Sequence, residues 1–227
     1  MIIFEGVTKF YKNSNYPSLE NIDLEIKKGD FVSIVGHSGA GKTTFTKLLL
    51  GEEKPSEGKV LFEGVDVHKL RGKKLTRYRR GVGTIFQDFR LLPNKTAYEN
   101  IAFAMESAGK TDEEIAEDVP HVLELVDMSD KANQFPRELS GGEKQRLSIA
   151  RAIINNPDVV IADEPTGNLD PVNTYEVIQI LQKVNDLGTT VILTTHNKGV
   201  IDSIKKRVVT LEDGRIVRDE VHGKYVV

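Results

Sequence analysis

The chain has no cysteine and no tryptophan among its 227 residues, and only three methionines. Without cysteine there are no disulfides and no thiolate metal sites, a usage that fits a reducing compartment. Long apolar runs are missing too. No window approaches the eighteen or so uninterrupted apolar residues of a membrane helix, so any membrane role is expected to come through a partner. The opening Met1-Ile2-Ile3-Phe4-Glu5 lacks the basic start and apolar core of a signal peptide, and a cytoplasmic protein is expected. Nor is either charge in large excess. With 31 Lys and Arg against 34 Asp and Glu, neither a disordered chain nor a polyanion-binding protein is indicated, and nucleic acid is not expected as a partner. What remains, 39% hydrophobic and 29% charged residues, suits one globular domain with a sizeable core and room for an inserted lobe.

Glycine, by contrast, is concentrated where it can do chemistry. Gly36-His37-Ser38-Gly39-Ala40-Gly41-Lys42-Thr43 matches G-x-x-x-x-G-K-[ST] in full. Such a loop turns successive backbone N–H groups toward a polyphosphate, while Lys42 reaches the β/γ-phosphates and Thr43 offers a hydroxyl to Mg²⁺. Phe31 to Val35 before it is a short apolar, β-branched run, and Thr44 to Leu50 after it has helical apolar spacing. The phosphates are thereby expected at a helix N-terminus, where free N–H groups and the dipole favour anions.

Upstream, Ile2 to Tyr11 and the strictly alternating Ile22 to Ile26 read as antiparallel strands. Tyr11 follows the first of them, where a ring can either pack or stack on a nucleotide base. A hairpin is expected around Glu63-Gly64. The basic run His68 to Arg80 reads either as a solvated helix face with Leu70, Leu75 and Tyr78 packed inward or as a patch for anionic lipid headgroups. Val82 to Phe86 forms a strand ending at Gln87, whose amide can coordinate Mg²⁺ or hold water. From Pro93 to Asp130 the pattern is helical, with Thr111 and Glu114 as a capping box.

Three further stretches carry chemistry. Leu139-Ser140-Gly141-Gly142-Glu143 opens a long helix, either as an ordinary N-cap or as a second phosphate-friendly N-terminus. Val159 to Ala162 reads as a central parallel strand delivering Asp163, a candidate for the Mg²⁺ shell, and Glu164, a candidate to polarise the attacking water. Thr189 to Thr195 is another buried strand, ending at His196, where open α/β sheets carry their ligand sites; that imidazole can donate to a γ-phosphate oxygen. Arg207 to Val217 reads as two closing strands.

Taken in this order, the motifs resemble the nucleotide-binding subunit of an ABC transporter over nearly the whole chain. The resemblance implies an α/β P-loop NTPase with a mainly parallel core sheet, an antiparallel β subdomain and an inserted α-helical subdomain. Residues 1–86 and 157–227 would form the core and about 87–156 the lobe. It implies a head-to-tail homodimer in which Ser140, Gly141 and Gly142 of one subunit grip the ATP held by the other. Tyr11 becomes the adenine-stacking residue, Gln87 the coupling glutamine and a metal ligand with Thr43 and Asp163, Asn168 to Asp170 the inter-subunit loop, and Glu164, His196 and Lys42 the catalytic set.

Phe86-Gln87-Asp88-Phe89-Arg90-Leu91-Leu92-Pro93, Thr194-Thr195-His196-Asn197 and Gly214 to Glu220 are most similar to the cell-division ATPases of the FtsE family from Gram-positive bacteria. That similarity implies an integral membrane partner of the FtsX kind, an indirect link to peptidoglycan hydrolases, and a position on the cytoplasmic face of the membrane. Phe89, Leu91, Leu92 and Tyr98 are candidate partner contacts or lobe core. An ATPase for lipoprotein release or macrolide export shares the chemistry with a different partner, and a soluble regulator would be expected to carry a second ATPase half or a coiled-coil insertion.

Overall fold

Strict alternation at residues 22–26 becomes the half-wet strand it predicts. In the computed structural model, which describes residues 1–12, 14–221 and 223, β1 (Ile2–Lys9) and β2 (Leu19–Ile26) pair antiparallel. The fully buried β3 (Phe31–Val35) enters a second sheet and runs through the glycine loop into α1 (Lys42–Leu49). β4 (Glu57–Phe62) and β5 (Val65–Asp66) then return to the first sheet as the expected hairpin, giving the antiparallel order β2-β1-β4-β5.

α2 (Gly72–Arg80) leads into β6 (Val82–Phe86). A helical stretch follows, comprising α3 (Ala97–Ala108), α4 (Asp112–Leu125) and α5 (Gly141–Ile153). The chain re-enters the second sheet as β7 (Val159–Asp163), crosses by α6 (Pro171–Asp186) to β8 (Thr190–Thr195), and by α7 (Lys198–Ile204) to β9 (Arg207–Glu212) and β10 (Arg215–Glu220). That sheet has the order β10-β9-β3-β8-β7-β6, parallel except for β10. The short α7 has no counterpart in the sequence reading; the Asn197 side chain accepts from the Val200 N–H and caps it.

The period-2 alternation of the buried strands builds two cores. Val160, Ala162, Val191 and Leu193 face the helical stretch and pack with Ile101, Met105, Leu123 and Leu147. Val159, Ile161 and Ile192 face the other way, onto Phe45 and Leu48 of α1 and the inner face of the antiparallel sheet. There the Phe4 and Phe45 rings stack with centroids 4.3 Å apart, both buried. α1 is thus clamped between the two sheets, which fixes the direction in which its N-terminus points.

Candidate functional site

Because β3, β6, β7 and β8 are parallel, their carboxyl ends emerge on one side of the sheet, and every strand-end candidate arrives there together. The register makes this concrete: Val35 pairs with Thr195, Asp163 with Thr194, and Phe86 with Asp163. A pocket of about 570 Å³ opens at this end. His37, Lys42, Thr43, Gln87, Glu164 and His196 line it, with Ser38, Gly39, Gly41, Thr44 and Ser18.

The start of α1 has no side-chain cap, unlike α3, α4 and α5, so its N–H groups face the pocket unpaired by side chains. Gly41 turns into the helix at φ 107, and a Cβ there would lie 2.6 Å from the Ser18 carbonyl oxygen. Only glycine permits that approach, which ties the loop to the start of β2. The buried Lys42 ammonium donates to the carbonyls of Gly36 (2.8 Å) and His37 (3.1 Å) and lies 3.4 Å from Glu164 Oε1. The other Glu164 oxygen is 2.9 Å from His196 Nδ1. Glu164 adopts φ 49, an uncommon left-handed conformation for a side chain of its size. Its N–H donates to the Thr194 carbonyl (3.0 Å) and hydroxyl (3.2 Å), holding the turn that sends the carboxylate toward Lys42.

Asp163 sits one residue deeper and takes a different environment. Its Oδ1 accepts from the Thr194 hydroxyl at 2.6 Å. With Thr43 it lines a separate small cavity of about 70 Å³ below the loop. A hydroxyl and a carboxylate converging beside a phosphate cradle are hard oxygen donors of the kind Mg²⁺ takes alongside phosphate oxygens and water, so the residues present fit that ion. Gln87, exposed, lines the larger pocket with Thr43, and its amide donates to Asn168 Oδ1 at 3.4 Å. Tyr11 lies beside the loop rather than among the pocket-lining residues; its hydroxyl is 3.5 Å from Thr44 Oγ1, which also bonds the Ser18 hydroxyl at 2.7 Å.

Ser140, Gly141 and Gly142 are not among the residues lining this pocket. Ser140 caps α5 in a reciprocal box: its hydroxyl accepts from the Glu143 N–H, and its own N–H donates to Glu143 at 2.7 Å, holding that carboxyl below its usual pKa. Gly142 is packed under Asn173, whose Oδ1 would fall 1.6 Å from any Cβ. Ser140 is therefore an N-cap of α5 within this chain, and Gly142 packs against Asn173 of α6. Asp170 caps α6 through the Val172 and Asn173 N–H groups.

Three supporting residues escaped the sequence reading. Ser18 carried no motif, although it lies between two strand patterns. Thr194 is one of three buried threonines in β8, and nothing local distinguishes it from the other two. Arg151 gave no signal either: from α5 it donates to the carbonyls of Arg90 (2.7 Å) and Phe89 (3.1 Å). Those two residues are consecutive and both left-handed, at φ 48 and 60 respectively. Of the four candidate partner contacts, Leu91 and Tyr98 pack against the helical core while remaining partly exposed.

A glycine cradle with a buried lysine, and an acid pair and a histidine carried to it by adjacent parallel strands, define a nucleoside triphosphatase of the P-loop class. The chain belongs to the ABC transporter family, whose profile matches residues 19–167, and is an ATPase of that family. Along nearly its whole length it is similar to cell-division proteins. It is 50% identical to the cell division ATP-binding protein FtsE of Mycobacterium tuberculosis, over 99% of this chain and 98% of that one. With FtsE of Bacillus subtilis the identity is 51% over the same shares. Among solved structures, the dimeric ATP-binding cassette MJ0796, in a post-hydrolysis state bound to ADP and Pi, superposes with a TM-score of 0.88 at 36% identity, covering 99% of this chain and all of that one.

Proposed function

We propose that this chain is the ATP-hydrolysing subunit of a cell-division complex of the FtsEX type, working as a homodimer on an integral membrane subunit of the FtsX kind. The observation that carries the dimeric part is the separation within one chain: Lys42, Glu164 and His196 share a pocket that Ser140 to Gly142 do not line. A second copy turned head to tail supplies the missing wall. Similarity to FtsE proteins and to a dimeric cassette supports the same reading.

In this reading the amides from Gly36 to Thr44 and the Lys42 ammonium bind the β- and γ-phosphates, and Tyr11 stacks on adenine. Glu164 orients the attacking water and accepts its proton, while His196 donates to a γ-phosphate oxygen. Thr43, Asp163 and Gln87 would hold Mg²⁺, which when bound neutralises charge on the phosphate oxygens. The lobe at residues 87–156 is set into the core of residues 1–86 and 157–227, and its Phe89 to Leu92 segment with Tyr98 receives the membrane subunit. Among the described residues no helix is long and apolar enough to cross a membrane, so attachment to the cytoplasmic face runs through that subunit, as does the control of peptidoglycan hydrolases.

The test is the solution mass of Glu164→Gln with and without Mg·ATP, beside turnover by the parent. An ATP-dependent dimer that does not turn over is expected. A variant that binds ATP and stays monomeric would defeat the composite site, and copurification of an exporter in place of a division protein would redirect the partner assignment.

A further inference from the structure

α2 has two faces of opposite character. Leu75 packs against the core and Tyr78 is buried in it, whereas Lys73, Lys74, Thr76, Arg77, Arg79 and Arg80 are exposed. The sequence holds no Asp or Glu from Val67 to Gln87, in a chain whose formal net charge is -3. Two of the cations serve the fold: Arg79 donates to the Leu50 and Gly51 carbonyls, and Arg80 to that of Ser107. Both stand in the last turn, where the helix dipole favours positive charge.

The dipole favours Arg77 too, also in the last turn, but Arg77 bonds no such carbonyl among the described residues, and neither account extends to Lys73 and Lys74. Lys73 and Lys74 occupy the first turn, which has no acidic residue and where the dipole disfavours cations. Lys73 and Arg77 are like charges four residues apart, and Lys74 and Arg77 three apart, spacings that weaken a helix unless an anion intervenes. With Thr76 and Arg80 these residues line a depression of about 550 Å³ whose wall contains no acid. An ordinary solvated face interleaves both signs, as the Lys110–Glu114 pair does in the lobe.

The position of this face matters as much as its charge. Arg79 ties α2 to Leu50 at the end of α1. Leu50 in turn shares a small cavity with Phe86 and Arg90, which lead into the segment proposed to receive the membrane subunit. Arg79 thus anchors the core-ward side of α2 and leaves Lys73, Lys74 and Arg77 to solvent.

We propose that the exposed face of α2, through Lys73, Lys74 and Arg77, binds the headgroups of anionic phospholipids directly. This contact goes beyond the function above and does not require the protein partner. Because Leu75 and Tyr78 point into the core, α2 offers no large apolar side chain for insertion, and the binding is electrostatic, reversible and salt-sensitive.

The test is co-sedimentation of the full chain, without partner, with vesicles of phosphatidylcholine containing phosphatidylglycerol, and with vesicles of phosphatidylcholine alone. Binding to the anionic vesicles only is expected, with release at about 0.5 M salt, a regime in which surface attraction is screened. Each cation at a membrane surface contributes about fivefold. The variant Lys73→Gln/Lys74→Gln/Arg77→Gln should thus partition about 100-fold more weakly, with unchanged ATP turnover and circular dichroism. An equal charge loss at the exposed Lys27, Lys28 and Lys183 should weaken it far less. The proposal fails if the triple variant binds like the parent, if anionic lipid makes no difference, or if inorganic phosphate or a short oligonucleotide outcompetes the vesicles for this face. Failure of ATP-driven dimerisation would leave this measurement untouched, so the two ideas are tested separately.

Discussion

His196 Nδ1 lies 2.9 Å from Glu164 Oε2, although the two residues come from different strands 32 positions apart in the chain. They meet because β7 and β8 are adjacent and parallel, and because Glu164 turns out of the sheet in a left-handed conformation held by Thr194. Removing the imidazole leaves the carboxylate paired with Lys42 alone. His196→Ala is expected to lower ATP turnover by about 10²-fold or more, the ordinary scale for losing one positioned donor to developing charge. ATP affinity should change much less, which a fluorescent-nucleotide titration checks.

The contact between Gly142 and Asn173 yields a prediction about packing. A methyl group on Gly142 must displace the Asn173 amide, which also bonds the α6 cap Asp170. Gly142→Ala is expected to lower stability by about 1–2 kcal/mol, the scale of a lost cap, and to reduce turnover without affecting nucleotide binding to the monomer. The cause is separable by a double-mutant cycle in urea unfolding: in an Asn173→Ala background the same substitution should cost clearly less. Equal costs in both backgrounds would rule out this contact as the source.

His68 gives a prediction about pH. Its ring is half-buried, with Nε2 unpartnered, and burial pushes its pKa below the ordinary value of 6.5 despite the nearby Asp66 carboxylate. Well above pH 6.5 the imidazole is neutral in the folded and unfolded chain alike, and contributes no slope. As pH falls below 6.5 the unfolded chain takes up a proton that the folded site resists, so stability drops until the folded pKa is passed. Urea midpoints measured at pH 7.5 and 5.5 should therefore fall more for the parent than for His68→Gln. A parallel decline would show that other groups set the acid slope.

Legibility in the sequence followed the kind of constraint each residue obeys. Lys42, Asp163, Glu164, Gln87 and His196 could be read in advance because phosphate and metal chemistry restricts the residue type, and each borders an apolar run whose end locates it. Leu75 and Tyr78 were readable as inward-facing from helical spacing, and Thr111 with Glu114 as a cap, because those forces act within a few residues; Leu70, read into the same helix, packs inward from the extended chain before it. Thr194 and Asp163 instead owe their bond to cross-strand register, and Arg151 bonds backbone carbonyls of a loop some sixty residues earlier. Neither contact leaves a local pattern. The helix α7 was hidden because Asn197 and Gly199 favour turns as readily as a helix start.

Arg151 also gives α5 a mechanical character. The helix begins at Ser140 and holds Arg151 three turns later, a rigid span of about 16 Å at 1.5 Å per residue. One end carries Gly142, packed against Asn173 of α6; the other end clasps the left-handed pair Phe89-Arg90. A rod fixed at both ends to different loops cannot tilt at one without moving the other. Displacement of the Phe89 segment is therefore expected to reach the Ser140 end of α5 through the Arg151 guanidinium.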